Sequence, residues 1–201
     1  MLMNELKIVS IDDKAPRADA QRNRRRLLGT AQQLLDSGEF EAATMSEIAQ
    51  LAGVGKGTLY RHFGDKSALC HALLDEAMHD FQARALTHLH RPDRPLDKLT
   101  WFLREVVLYV DRHRLLLSEA AEQGRHAKTL LHPAHIWWRM TIVGLLQQIP
   151  YEGDTDYAAD MLYIMVDVQT LRFQRDIQGY SLDRILAAIQ NVVTQLVQPV
   201  P

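Results

Sequence analysis

Residues 44–66 read TMSEIAQLAGVGKGTLYRHFGDK, and their spacing predicts two short helices folded around a tight turn. Thr44 is a favourable N-cap and Glu47 stands three residues on, so hydroxyl and carboxylate can each satisfy a backbone donor at a helix start. A first helix therefore begins near Met45. Ile48 and Leu51 give it an apolar side, and Ala49 is small where a second helix has to cross closely. Gly53 supplies the left-handed conformation that ends a helix. Val54 follows the turn and Leu59 lies six residues beyond Gly53, so the buried positions of a helix-turn-helix are suitably filled.

The second helix, about Lys56 to His62, has only Leu59 and the following Phe63 to give to a core. That leaves Lys56, Gly57, Thr58, Tyr60, Arg61 and His62 largely outward, a surface suited to phosphates and base edges. Gly57 and Thr58 let a backbone approach closely. Lys56 can meet a base acceptor or a phosphate, Thr58 a phosphate or a thymine methyl, and Tyr60 a phosphate with its hydroxyl and a base with its ring. Thr44 and Lys66 are placed to clamp the flanking backbone. Taken singly, Tyr60 also reads as a half-buried core tyrosine and Lys66 as a solvated first-turn lysine.

With these residues in view, positions 20–74 resemble the DNA-binding domain of TetR-type transcriptional regulators. The matching residues are Thr44, Ile48, Ala49, Ala52, Gly53, Val54, Lys56, Gly57, Thr58, Leu59, Tyr60, His62, Phe63, Lys66, Leu69 and Leu73. The resemblance covers roughly the first third of the chain. It implies an all-α homodimer, with an N-terminal three-helix domain on a double-stranded DNA operator and a C-terminal domain that dimerises and binds an effector. It puts Thr44, Lys56, Thr58, Tyr60, His62 and Lys66 on DNA. Gly55 departs from the pattern, because many members carry a larger polar residue there.

The segment GVGKGT at 53–58 also resembles the phosphate loop of nucleoside monophosphate kinases. The leading glycine of such a loop is replaced by Gln50, and the upstream MSEIAQLA has helical rather than strand periodicity. Gly57 also stands where the usual loop has Ser or Thr. A binding protein is expected rather than an enzyme.

Charge distribution agrees. The 201 residues carry a net charge of −2, yet residues 17–26, RADAQRNRRR, hold five arginines against one aspartate. Residues 67–201 hold 13 basic and 16 acidic side chains. The positive field is thus concentrated near the proposed recognition helix. Arg17, Arg22 and Arg24 or Arg25 can form an arm on the DNA backbone or in the minor groove, although charge runs at helix starts are often only solvated. No apolar run of ~18 residues is present, so no membrane span is expected. The N-terminus lacks the apolar core of a signal peptide, and cytoplasmic residence follows as an expectation.

Helical patterns continue to the end, and about nine helices are expected with no alternating strand pattern. Residues 1–16 read as a disordered segment or arm, 17–64 as the helix-turn-helix domain and 65–198 as the effector-binding and dimerisation domain. The first helix spans about 18–37. A long helix at about 66–89 is capped by Asp65, RPDRP at 91–95 breaks the pattern, and Pro133 opens another helix. The last two helices are placed at about 155–176 and 181–197.

Those two helices read as the dimer surface. Met161, Met165 and Val168 on the first and Leu182, Ile185, Ile189 and Val193 on the second form apolar stripes that exceed what one small domain hides. The stripes can equally face the monomer's own core. Effector candidates are Trp101, Phe102, Tyr109, His113, Glu119, Trp137, Trp138, Met140 and Tyr163, which suit a hydrophobic or planar ligand, cationic if Glu119 or Glu122 faces inward. A core role for each is equally open. His126, His132 and His135 cluster without a completing ligand, so no metal is expected and no cofactor is implied. Cys70 stands alone and reads as a small semi-buried thiol, with intermolecular redox sensing as the alternative.

Overall fold

The computed structural model describes residues 14–122 and 133–197. Among the described residues there are ten α-helices, one π-helical turn and no strand. They are α1 (Lys14–Ser37), α2 (Met45–Leu51), α3 (Lys56–His62), α4 (Lys66–Leu89), α5 (Pro95–Arg112), α6 (Arg114–Glu122), α7 (Pro133–Leu146), α8 (Thr155–Met165), α9 (Val168–Arg172) and α10 (Leu182–Leu196), with the π turn at Phe173–Ile177. The chain divides into two compact units, parting between Leu69 and Cys70 inside α4. This lies a turn beyond the boundary expected at 64.

In the first unit α1 packs on α2 and α3. Leu27 and Ala31 of α1, Ile48 of α2, and Leu59 and Phe63 around α3 are almost fully buried. Each buried Leu, Ile or Phe contributes roughly 1.5–3 kcal/mol from the apolar surface it withdraws from water. Such contributions are needed here, because helices as short as α2 and α3 are marginal alone. Helix α1 starts at Lys14, earlier than expected, so Lys14 to Pro16 are helical rather than part of an arm.

The second unit is built around α5. Helices α7, α9 and α10 pack on it, and α8 lies against α7. Leu99, Phe102, Leu103 and Val106 of α5 are fully buried, together with Phe81 of α4 and Ile142 and Leu146 of α7. Arg94 N-caps α5 with Pro95 at its first position, and Ser181 caps α10 by accepting a hydrogen bond from the Arg184 amide at 3.2 Å.

The single helix expected over 155–176 is interrupted. Asp167 accepts a hydrogen bond from the Gln169 amide at 2.9 Å and starts α9 as an N-cap. Val166 and Val168 flank it, and a β-branched, Asx-containing run favours a local side-chain bond over continued helix. Helix α9 then widens into the π turn, and Gly179, at φ +65°, closes the segment.

Of the residues expected at the dimer surface, Val168, Ile185, Ile189 and Val193 are buried in the chain's own core. Leu182 and Met165 are half-buried against the same core. Of the residues named for the interface, Met161 alone is exposed; Ile164 and Val192 share that exposure.

Candidate nucleic-acid interface

The first unit forms the helix-turn-helix by short-range chemistry. Thr44 Oγ1 accepts a hydrogen bond from the Glu47 amide at 3.2 Å, while the Thr44 amide donates to Glu47 Oε2 at 2.7 Å. The Thr44 hydroxyl also donates to Glu47 Oε2 at 2.8 Å. These bonds to Thr44 hold the exposed Glu47 carboxyl below its usual range. At the turn the Val54 amide reaches back to the Ala49 carbonyl at 2.9 Å, and Gly53 sits at φ +60°. A side chain there is strained by the backbone itself, and a Cβ would run into the Arg26 guanidinium. Gly55 is the N-cap of α3 without a side-chain bond.

Helix α3 turns a single residue, Leu59, fully inward. Lys56, Gly57, Tyr60 and Arg61 are exposed, and Thr58 and His62 are half-buried. A Cβ at Gly57 would meet no atom within 4 Å, so the helix has an open, close-approach surface at its first turn. His62 is different. Its Nε2 is buried without a hydrogen-bond partner, and burial together with the nearby Arg61 and Arg24 lowers its proton affinity.

The flanking residues are more committed than the sequence implies. The Lys66 ammonium donates to the Glu41 carbonyl at 2.9 Å and lies 4.8 Å above the Phe40 ring. Asp65 accepts from the Ala68 amide at 2.7 Å and caps α4. Of the arginine cluster, Arg22 pairs with Asp19, and Arg24 lies 4.8 Å over Phe63, while Arg25 and Arg26 are exposed. The Arg17 side chain lies outside the described residues. Helical phase separates Arg24 from Arg25, a distinction available in the sequence from the 3.6-residue repeat.

The aromatic candidates of the second unit gather around Phe81. Its ring centre lies 5.6 Å from Tyr109, 6.0 Å from Phe102, 5.8 Å from Trp137 and 6.4 Å from Trp138. Trp138 is buried with its Nε1 unpartnered. Tyr163 is hydrogen-bonded to His135 Nδ1, and Tyr109 donates to the Leu74 carbonyl at 3.2 Å. Burial raises the pKa of both tyrosines, assisted by Asp75 at Tyr109 and Asp167 at Tyr163. Trp101 stands apart, stacked 3.7 Å from His88. Met140 is exposed, Glu119 and His113 are half-buried, and Glu122, His126 and His132 lie outside the described side chains. Cys70 is fully buried.

An all-helical chain with a capped helix-turn-helix in one unit and a larger helical second unit is thus defined. Residues 27–73 match the family model described as bacterial regulatory proteins, tetR family. An HTH-type transcriptional regulator of Staphylococcus aureus strain MRSA252 is 44% identical over 66 residues, covering 32% of this chain and 35% of the relative. The chain therefore aligns with about a third of the length of that relative. Two solved structures align far more extensively. A transcriptional regulator from Saccharomonospora viridis in complex with choline has a TM-score of 0.71 at 18% identity, covering 89% of this chain and all of that one. The regulator FadR from Bacillus subtilis in complex with stearoyl-CoA has a TM-score of 0.64 at 18% identity, covering 88% of this chain and 99% of that one. At such identity these two establish shared fold. The match to the tetR family of bacterial regulatory proteins lies in and just beyond the first unit of this chain.

Proposed function

We propose that the chain is a DNA-binding transcription regulator, a dimeric repressor that leaves a palindromic operator when a small-molecule effector binds its second unit. The observation that carries the reading is the division of α3: Leu59 anchors it, while Lys56, Gly57, Tyr60 and Arg61 are presented together on the outside. A recognition helix needs this division, since its N-terminal residues must reach base edges while its back holds the fold. Thr58, His62, Thr44 and Lys66 flank that surface as backbone contacts. Arg22 extends it along α1, and Arg17 is assigned to the same contact from its place in the sequence alone.

A palindrome requires two recognition helices ~34–36 Å apart, hence a second copy. Met161 and Ile164 on α8 with Val192 on α10 supply exposed apolar contacts for it. The effector reading is supported by the aromatic cluster about Phe81, the unpartnered Trp138 Nε1 and the choline and stearoyl-CoA held by the two structural neighbours. Release follows if the effector prefers the arrangement that does not fit DNA.

The reading is tested by titrating duplex fragments of the source genome with wild type and with Tyr60→Ala, both checked for thermal stability. Wild type is expected to retard a subset of fragments, with affinity falling as salt rises. Tyr60→Ala is expected to weaken that binding without unfolding, and equal affinity in the two proteins contradicts the assignment.

A further inference from the structure

Away from the tryptophans, the second unit has a polar cleft of about 450 Å³ between α4 and α5. That volume is in the range of small-molecule sites. Its charged and polar walls are Asp80 and Arg84 from α4, Glu105, Tyr109 and Arg112 from α5, and His113 at the C-cap of α5. The sequence places them there by helical phase: Asp80 and Arg84 are four apart, and the α5 residues recur at intervals that keep one face.

These charges are not mutually satisfied. Glu105 is engaged by Arg104 at 3.1 Å. Among the described residues, Arg84, Arg112 and Asp80 form no ion pair, so the uncommitted lining is two guanidiniums against one carboxylate. His113 Nδ1 lies 2.8 Å from the Tyr109 carbonyl and donates its proton there, which leaves Nε2 as the acceptor of the neutral ring. Burial, Arg112 and Arg84 together lower the proton affinity of His113, outweighing its bond to Tyr109. Solitary surface arginines are ordinarily just solvated. Two of them, from different helices, converge here beside an imidazole whose charged form they disfavour.

We propose that this cleft binds a small molecule through a carboxylate or phosphate group taken between Arg84 and Arg112, with Asp80 accepting a hydrogen bond from a hydroxyl or amine on the same ligand. Guanidinium forks match the planar spacing of such oxyanions and keep their charge at any working pH. The site shares only Tyr109 with the aromatic cluster and does not depend on the DNA-binding reading. A bound anion ties α4 to α5 and places negative charge next to His113, whose proton affinity must then rise.

The test follows the His113 ring by NMR in the full-length protein, assigned with His113→Gln. Citrate and inorganic phosphate serve as the carboxylate and phosphoryl probes, each compared with sodium chloride at matched ionic strength. At least one probe is expected to raise the His113 titration midpoint and the thermal midpoint beyond the salt control. Its apparent affinity is expected to fall roughly tenfold in Arg112→Gln and in Arg84→Gln, the loss of one charge-assisted hydrogen bond. Both arginines are exposed, so the variants retain the fold, and unchanged thermal midpoints without probe verify this. No displacement of His113 beyond the salt control, or an equal displacement in the Arg84→Gln/Arg112→Gln double variant, overturns the proposal.

Discussion

The Lys66 ammonium is held 2.9 Å from the Glu41 carbonyl, across the Phe40 ring. A lysine fixed in this way loses little further side-chain entropy when a phosphate arrives, and it still has N–H donors to offer. Lys66→Met keeps the stem over Phe40 and removes the charge. It is expected to weaken DNA binding for all sequences alike and to reduce the slope of log affinity against log salt by about one. The lost carbonyl bond costs about 1 kcal/mol of stability. Anisotropy titrations over a salt series and a denaturant melt measure the two effects separately.

Gly57 opens a second comparison. It occupies the first turn of α3, is exposed, and has room for a methyl group. Gly57→Ala is expected to stabilise the free protein by about 0.5–1 kcal/mol, since glycine loses more freedom on forming helix. If the backbone of α3 comes close to DNA, the same methyl lowers affinity. A more stable protein that binds DNA less well is the expected pair of results, and a gain in both removes Gly57 from the interface.

The first unit was legible because its signals are local. The capping box at Thr44 and Glu47, the turn at Gly53 and the lone inward Leu59 each follow from side-chain chemistry within a few residues. What lay hidden depends on neighbours distant in sequence. Periodicity reveals the stripe Ile185, Ile189 and Val193 but not the helix that covers it, and α5 of the same chain does so. The break at Asp167 comes from an Asx cap that interrupts a continuous helical pattern of apolar residues. Likewise, the commitment of Thr44 to Glu47 and of Lys66 to Glu41 could not be separated from a phosphate role by residue type alone. The Asp80–Arg84 and Glu105–Arg112 spacings were readable, but their convergence on one cleft was not.

Protons report on the fold. Folding lowers the pKa of His62 and His113 from an ordinary 6.5, so the unfolded chain binds more protons as pH falls below that value. Stability therefore rises with pH through the window beneath 6.5 and its histidine contribution is lost as acid enters. Glu47, lowered from 4.5, adds a further loss at more acid pH. Denaturant midpoints between about pH 8 and pH 5 are expected to decline less steeply in His62→Gln than in wild type. Parallel slopes contradict the assignment of Nε2 to a buried, unpartnered position.

Self-association separates the exposed face from the buried stripe. Ile164→Asp and Val192→Asp are expected to shift sedimentation from two copies to one while leaving the helical signal intact, because both side chains are exposed. Ile189→Asp buries a charge in the core and is expected to unfold the second unit. Retention of the same assembly in both surface variants rules out this face as the dimer contact.

The most direct measurement of the central claim is to select genomic duplex fragments with the purified full-length protein and sequence those retained. Retained fragments are expected to share an inverted repeat whose half-sites lie about one helical turn, or a multiple of it, apart, and a Lys56→Ala/Tyr60→Ala variant is expected to recover none of them. A retained pool with no shared repeat, or the same pool recovered by the variant, contradicts paired insertion of α3 into the major groove.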